Sequence, residues 1–108
     1  MDINEEIRGY MARNMGREEF IKYVATAIEH QLKEWDGNYE VFLLKLKKYE
    51  FMINNGDKYY HVKISENELD SLQKTSPFGL DRKVWTELET QGLEVIRGSG
   101  NYIETILS

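Results

Sequence analysis

The feature that most constrains this chain is the turn sequence Asn54-Asn55-Gly56-Asp57, which stands between two stretches of alternating residues. An Asn-Gly pair in this setting is the strongest short-range signal for a β-hairpin, because both residues tolerate a positive φ angle. A two-residue loop at Asn55-Gly56 predicts that Phe51 faces Tyr60 on one side of the hairpin. The same register places Tyr49 opposite Val62.

The opposite side of the predicted hairpin is basic and aromatic. In this register it presents six residues: Lys48, Glu50, Met52, Tyr59, His61 and Lys63. Lysine and tyrosine side chains in such a mixture bind single-stranded nucleic acid by charge and stacking, or a protein partner, because tyrosine is enriched at interfaces. Charges along an exposed sheet edge also protect it from aggregation, which explains the same pattern without a ligand. We predict an auxiliary binding surface made of Lys48, Tyr59, His61 and Lys63.

Two helices are predicted ahead of the hairpin. Asp2 and Glu5 have the spacing of a capping box, and the apolar residues around them recur on one helical face. These residues are Ile3, Ile7, Tyr10, Met11 and Met15. A second helix is predicted over Arg17–Trp35, and its apolar stripe consists of Phe20, Val24, Ala27, Ile28, Leu32 and Trp35. Asp36-Gly37-Asn38 ends this helix, and residues 39–46 fit either a buried strand or a short helix.

A short third helix is predicted after the hairpin. Ser65 and Glu68 form a second capping box, and the apolar side of the helix carries Leu69 and Leu72. Residues 75–79, which include the only proline, break this helix.

A fourth helix and a pair of strands are predicted from there on. Asp81 is predicted to cap the helix, which ends at Gly92. The residues that it carries inward are Val84, Trp85 and Leu88. Residues 93–97 are predicted as a strand, residues 98–101 as a glycine-rich turn and residues 102–107 as the returning strand.

Residues 65–103 combine these elements with a distinctive set of motifs. The motifs are Ser65-Glu66, Leu69, Ser76, Leu88-Glu89-Thr90-Gln91-Gly92-Leu93 and Arg97-Gly98-Ser99-Gly100-Asn101-Tyr102-Ile103. In this order they resemble the winged helix-turn-helix, especially that of the GntR type. The resemblance implies that the third helix of the motif lies in the major groove of DNA and that the wing touches the DNA backbone or minor groove. Transferred to this chain, it implies four DNA contacts: Arg82, Lys83, Arg97 and Asn101.

Charge is divided unevenly between the two parts of the chain. The 108 residues include 14 lysines and arginines against 19 aspartates and glutamates, which gives a net charge of −5. Residues 1–64 hold 10 of the basic and 11 of the acidic residues, a net charge of −1, so residues 65–108 hold 4 and 8, a net charge of −4. A nucleic-acid-binding protein usually presents a basic field to the phosphates. The acidic second part therefore weakens the DNA hypothesis.

No pattern in the sequence identifies a reaction, a cofactor or a metal. The chain has no cysteine, and its two histidines, His30 and His61, are far apart and lack metal-ligand spacing. Gly98-Ser99-Gly100 lacks the Lys-Ser/Thr ending of a phosphate-binding loop, and no serine stands in a Gly-x-Ser-x-Gly elbow. The acidic start of the sequence and the shortness of its apolar runs are typical of a soluble cytoplasmic protein. We expect no enzyme, cofactor, metal or membrane contact.

Together these patterns predict a single α+β domain over residues 1–108. Its N-terminal helices and β-hairpin (residues 1–64) are joined to a winged-helix-like C-terminal half (residues 65–108). The first hypothesis for its function is a small non-enzymatic DNA-binding or transcription-regulating module. The alternative is a protein-interaction module, an inhibitor or adaptor, on the same fold and without DNA binding. A homodimer through the N-terminal helices is a further expectation of this alternative.

Overall fold

Five helices and three strands follow one another along the chain. The computed structural model describes all 108 residues. The helices are α1 (Glu5–Asn14), α2 (Arg17–Trp35), α3 (Glu66–Thr75), α4 (Gly79–Thr90) and α5 (Tyr102–Ile106). The strands are β1 (Glu40–Lys45), β2 (Tyr49–Asn55) and β3 (Lys58–Ile64), and they form one antiparallel sheet in the order β1-β2-β3. The predicted α+β class is confirmed.

The core lies between the helices and one face of the sheet. Alternate residues of β2 and β3 are buried there: Tyr49, Phe51, Ile53, Tyr60, Val62 and Ile64. The predicted stripe of α2 belongs to the same core, since five of its members are buried: Phe20, Val24, Ala27, Ile28 and Leu32. The other face of the sheet is exposed or half-buried, and we call it the open sheet face. Its residues include Phe42, Leu44, Glu50, Met52, Tyr59, His61 and Lys63.

The β2–β3 hairpin has a different loop from the predicted one. Asn55 pairs with Lys58, so the two loop residues are Gly56 and Asp57. Gly56 has a φ angle of +63°, and no non-glycine residue of the chain has a positive φ. A positive φ at the first loop residue alone is typical of a type II′ turn, which places glycine there. The predicted loop, Asn55-Gly56, is therefore wrong by one position.

The changed loop shifts the strand register by two residues. Phe51 faces Val62 instead of Tyr60. Tyr49 faces Ile64 instead of Val62. Because strand side chains alternate with a period of two, this shift leaves each of them on its predicted face. The observed register gives the buried Ile64 an aromatic neighbour in β2, whereas the predicted one places it opposite the loop between β1 and β2.

Residues 39–46, which fit a strand or a helix, contain a strand. β1 pairs with β2 from Glu40 opposite Asn54 to Lys45 opposite Tyr49. No other strand pairs with β1, so it lies at one edge of the sheet, and β3 lies at the other.

Helix α1 begins later than predicted. Its N-cap is Asn4, whose Oδ1 accepts a hydrogen bond from the Ile7 N–H at 3.1 Å. Asp2 lies outside the helix, because its Oδ1 accepts a hydrogen bond from the Asn101 N–H at 3.0 Å. The predicted capping box of Asp2 and Glu5 is therefore wrong.

The buried side of α1 is not its apolar side. The buried residues are Arg8 and Gly9, whereas Ile7 and Tyr10 are 56% and 63% exposed. Arg8 turns inward because a buried carboxylate, that of Asp81, receives its guanidinium group. Two members of the predicted apolar face thus remain in solvent.

A buried polar network joins α1, α4 and α5. Arg8 donates from both Nη atoms to the carboxylate of Asp81, with Nη2 and Oδ2 2.9 Å apart, and its Cζ lies 4.7 Å from the ring centroid of Phe78. The Tyr102 hydroxyl donates to Asp81 Oδ2 at 2.6 Å, and Trp85 Nε1 donates to the Tyr102 oxygen at 3.1 Å. Burial, together with the charge and hydrogen bond of Asp81, raises the pKa of Tyr102 well above its usual value. The predicted capping role of Asp81 is wrong, since this residue lies inside α4 and Phe78 occupies the cap position.

Helix α4 ends as predicted, at Gly92. The φ angle of Gly92 is +100°. Its N–H donates to the Glu89 carbonyl at 2.9 Å, and the N–H of Leu93 donates to the Leu88 carbonyl at 3.0 Å. These two bonds form a Schellman motif, in which a left-handed glycine turns the chain away from the helix axis.

The two strands predicted after Gly92 do not form. Residues 93–97 have no regular structure, and residues 102–106 form α5. Tyr102, Ile103 and Ile106 are all buried, and a helix brings residues with this spacing to one side. In a strand, Tyr102 and Ile103 would point to opposite faces. Burial of the three side chains outweighs their strand propensity, so the predicted strand pair is wrong.

Candidate functional site

Two of the four residues that the resemblance assigns to DNA contact lie in the first turns of α4. Arg82 donates from Nε to the Ile106 carbonyl oxygen at 2.9 Å. Lys83 Nζ lies 2.8 Å from Glu87 Oε1 and 3.5 Å from Glu68 Oε2. The hydrogen bond with Glu87 raises the pKa of Lys83. Both cations are therefore engaged by groups of their own chain.

The other two residues, Arg97 and Asn101, hold the segment between α4 and α5. Arg97 Nη1 lies 3.3 Å from Glu104 Oε2. Asn101 Oδ1 accepts a hydrogen bond from the Ile3 N–H at 2.7 Å, and Asn101 Nδ2 donates to the Ile3 carbonyl at 3.2 Å. The side chain of Asn101 thus fastens the residues before α1 to the residues before α5.

The auxiliary hairpin surface is assembled on and beside the open sheet face. Tyr59, His61 and Lys63 are exposed on β3, and Lys48 is exposed in the loop between β1 and β2. His61 Nδ1 lies 2.7 Å from Glu50 Oε2. A concavity of about 320 Å³ at the loop is lined by Leu46, Lys47, Lys48, Glu50 and Lys63. Its three lysines form no ion pair within the chain.

The β3 edge of the sheet is covered at its centre by a side chain. Gln91, the residue that follows α4, donates from Nε2 to the His61 carbonyl at 2.6 Å. The His61 N–H donates in turn to Gln91 Oε1 at 3.1 Å. The amide of Gln91 therefore takes the place that the backbone of a further strand would occupy.

The β1 edge, in contrast, has no such cover. None of residues 40–45 forms a backbone hydrogen bond outside the pair with β2. On the open sheet face Phe42 is 45% and Leu44 39% exposed, and on the other face Val41 and Leu43 are half-buried. An edge strand that is apolar on both faces is a surface on which another strand can pair.

A second apolar patch lies on α1. It combines the exposed Ile7 and Tyr10 with Tyr23 of α2, which is 38% exposed. Ile7 and Tyr23 also line a groove of about 320 Å³ beside the exposed His30. Of the apolar residues of the predicted Ile3–Met15 helix, through which self-association is predicted, this patch contains Ile7 and Tyr10.

The sequence pointed to the lysines of the hairpin and missed the edge of β1. Residues 41–44 are apolar without a break, and such a run is the pattern of a strand buried on both faces. The run itself carries no information on whether a neighbour covers it. Only the pairing order of the strands identifies β1 as an edge.

The remaining features and comparisons point to no known class. No three histidine, aspartate or glutamate residues are grouped closely enough to hold a metal ion. None of the helices combines the length and the apolar composition that crossing a membrane requires. The resemblance to winged-helix proteins stays a prediction from the sequence motifs. No protein-family model, curated protein or solved structure is significantly similar to this chain.

Proposed function

We propose that this chain is a non-enzymatic protein-interaction module that binds its partner through β1 and the open sheet face. The observation that carries the proposal is the edge of β1, which is unpaired and apolar on both faces. A strand of a partner gains main-chain hydrogen bonds at such an edge and covers the exposed side chains. An edge of this kind is an aggregation hazard unless a partner occupies it.

The state of the predicted DNA contacts also supports a protein partner. Arg82, Lys83, Arg97 and Asn101 are each bound to a carbonyl, a carboxylate or the backbone of the same chain. Phosphates would have to compete with the carboxylates of Glu87 and Glu104 for the charges of Lys83 and Arg97. The net charge of −4 in residues 65–108 adds a repulsion against phosphates.

The DNA-binding module of winged-helix type is the second candidate. It is supported by the helix pair α3 and α4, which are separated by only residues 76–78. It is also supported by the unpaired lysines of the hairpin, which would neutralise phosphates without losing an ion pair.

The test of the protein-interaction proposal compares two variants with the same change in charge. Leu44→Lys puts an ammonium group into the β1 surface, where Glu50 stands opposite it in β2 and keeps it compatible with the fold. Tyr10→Lys does the same on α1 and serves as the control. In the cells that produce the chain, chemical cross-linking should join wild type and Tyr10→Lys to the same protein partner. Leu44→Lys should no longer be joined to this partner. An unchanged yield of the cross-linked product with Leu44→Lys would refute the role of β1.

The test of the second candidate uses a fluorescent, mixed-sequence DNA duplex. On the protein-interaction proposal, anisotropy stays unchanged at low salt. A binding signal that weakens steeply with salt would favour the DNA candidate instead. Loss of that signal in Arg82→Glu/Lys83→Glu would assign it to α4, and loss in Lys48→Glu/Lys63→Glu would assign it to the hairpin.

A further inference from the structure

A groove runs between β1 and the neighbouring helix α2. It has a volume of about 310 Å³ and is lined by Lys22, Ala25, Thr26, Glu29, Val41 and Leu43. The strand supplies an apolar wall, and the helix supplies two small residues that stand between a lysine and a glutamate. The edge of β1 and this side of α2 therefore form one surface, apolar in the middle and charged at the two ends of the helix segment.

The charges of this surface are symmetric about its middle. Lys22 precedes Ala25 by as many residues as Glu29 follows Thr26. A second copy, rotated by 180° about an axis through the Ala25–Thr26 pair, has its α2 antiparallel to the first. Each Lys22, whose Nζ lies 3.3 Å from Glu18 Oε1 of its own chain, then meets the Glu29 of the other copy. A patch that complements itself in this way is the requirement for a two-fold interface.

Strand β1 meets the same requirement. Two strands related by a two-fold axis through one residue are antiparallel. Residues at equal distances before and after that residue then face each other across the axis. With the axis at Leu43, the two copies of this residue meet on the side of the groove. On the open sheet face, Phe42 then meets Leu44 of the second copy. The exposed apolar side chains of the edge thereby cover one another.

The local charge permits this pairing, although the whole chain has a net charge of −5. The charged residues of β1 and the groove cancel: Lys22 and Lys45 against Glu29 and Glu40. Glu66 Oε1 lies 2.7 Å from Lys45 Nζ, and the other acidic residues of 65–108 do not line the groove. Repulsion between charges farther apart than about 8 Å is largely screened at physiological salt.

We propose that the strand that completes this edge is β1 of a second copy of the chain. The two copies then share one six-stranded antiparallel sheet, with about six backbone hydrogen bonds between the two β1 strands. Their α2 helices lie side by side on the same face of that sheet. This inference rests on the proposed function, since it names the partner of the same edge.

Sedimentation velocity over a range of concentrations tests the pairing. Wild type should change from a species of 12.8 kDa to one of twice that mass as its concentration rises. Leu44→Lys, which places an ammonium group against Phe42 of the other copy, should raise the dimer Kd at least about tenfold. Tyr10→Lys should leave the Kd unchanged, and circular dichroism should show that both variants are folded.

Two outcomes of this experiment overturn the proposal. The first is a wild-type chain that stays monomeric at about 0.5 mM, where an interface with a Kd of about 0.1 mM would already be visible. The second is a dimer that Tyr10→Lys dissociates and Leu44→Lys leaves intact, which would assign the interface to α1.

Cross-linking provides a measurement that does not depend on Leu44. Because the chain has no cysteine, Thr26→Cys introduces a single thiol, close to the proposed axis. Helices packed side by side are about 8–10 Å apart, so a short bismaleimide should link two copies efficiently. Thr86→Cys, at an exposed position of α4, is the control and should stay unlinked. Equal linking of the two variants, or none of either, contradicts the pairing.

Failure of this inference and failure of the proposed function give different results. If the wild type is monomeric but binds a different protein, and Leu44→Lys abolishes that binding, then the second copy is refuted and the function of β1 is retained. If the wild type is monomeric and Leu44→Lys leaves the binding of its partners unchanged, then both the second copy and the function of β1 are refuted.

Discussion

Replacement of Arg8 by methionine should destabilise the chain strongly, because it leaves a buried carboxylate without its cation. The side chains of Arg8 and Asp81 are 4% and 0% exposed. Burial alone would lower the pKa of Arg8, but the hydrogen bond and charge of Asp81 outweigh that effect and raise it. Arg8 therefore keeps its charge in the folded state. Methionine fills much of the same space beside Phe78 and offers no donor, so the Tyr102 hydroxyl remains as the partner of Asp81.

The expected loss is large relative to the stability of a small domain. Removal of one partner from a buried ion pair costs about 3–5 kcal/mol. The contact of the Arg8 guanidinium group with the ring of Phe78 contributes about 1 kcal/mol to that loss. The free energy of unfolding of a domain of this size is about 5–15 kcal/mol. A loss of 3–5 kcal/mol should therefore lower the Tm by at least about 12 °C.

Urea titration and thermal melting, both followed by circular dichroism, measure the effect. Arg17→Met is the control, because Arg17 also pairs with carboxylates of α3 but is 39% exposed. It should cost less than about 1 kcal/mol. The double variant Arg8→Met/Asp81→Asn should lose less stability than the two single variants together, by at least about 1 kcal/mol. Equal losses for Arg8→Met and Arg17→Met, or strictly additive single changes, would refute the reasoning.

Three further predictions concern stability. Burial raises the pKa of Tyr102, so above about pH 10 the unfolded chain loses the hydroxyl proton before the folded chain does. The free energy of unfolding then falls by up to about 1.4 kcal/mol per pH unit, and Tyr102→Phe should reduce this fall. In urea titration, Gly100→Ala should destabilise the chain by about 1–3 kcal/mol or more. The φ angle of Gly100 is +127°, and a new Cβ would lie 2.6 Å from the Met1 nitrogen. Gly37→Ala, whose Cβ would have nothing within 4 Å, should be neutral. Ser65→Ala should cost about 1 kcal/mol, because the Ser65 hydroxyl caps α3 at 3.1 Å, and Ser65→Asp should keep the urea midpoint near that of wild type.

Elements with local signals were predicted well from the sequence. The bounds of α2 follow from a long apolar stripe and the turn residues behind it. The Ser65 cap and the end of α4 at Gly92 depend on residues only a few positions apart. In each case the interactions that fix the element join near neighbours in the chain, so their pattern is visible in the sequence.

Apart from the hairpin loop, which was predicted one position away from its actual place, the errors concern residues whose partners are distant in sequence. Asp81 has the chemistry of a helix cap, but its partner Arg8 lies 73 residues away. Tyr102 and Ile103 have strand propensity, yet the core that buries both of them is built by other elements. Asp2 fits a capping box and instead binds Asn101, 99 residues away. No local pattern distinguishes these roles.

The candidate site was predicted only in part for a related reason. The hairpin lysines and tyrosines stand out by composition, and alternation assigns Tyr59, His61 and Lys63 to one face whether or not the register is correct. The exposure of Phe42 and Leu44 depends on the absence of a strand beside β1. The order in which strands pair is a property of the whole fold, which hydropathy does not encode.

The amide of Gln91 also determines how far an assembly of this chain can grow. It occupies the N–H and C=O groups of His61 at which an added strand would pair with β3. Once a second copy pairs with β1, both ends of the joined sheet are β3 edges, and the central residue of each is already bonded to Gln91. A chain with the same apolar β1 and two open edges would add copies without limit and form a filament. One glutamine side chain thus hinders the addition of a third copy.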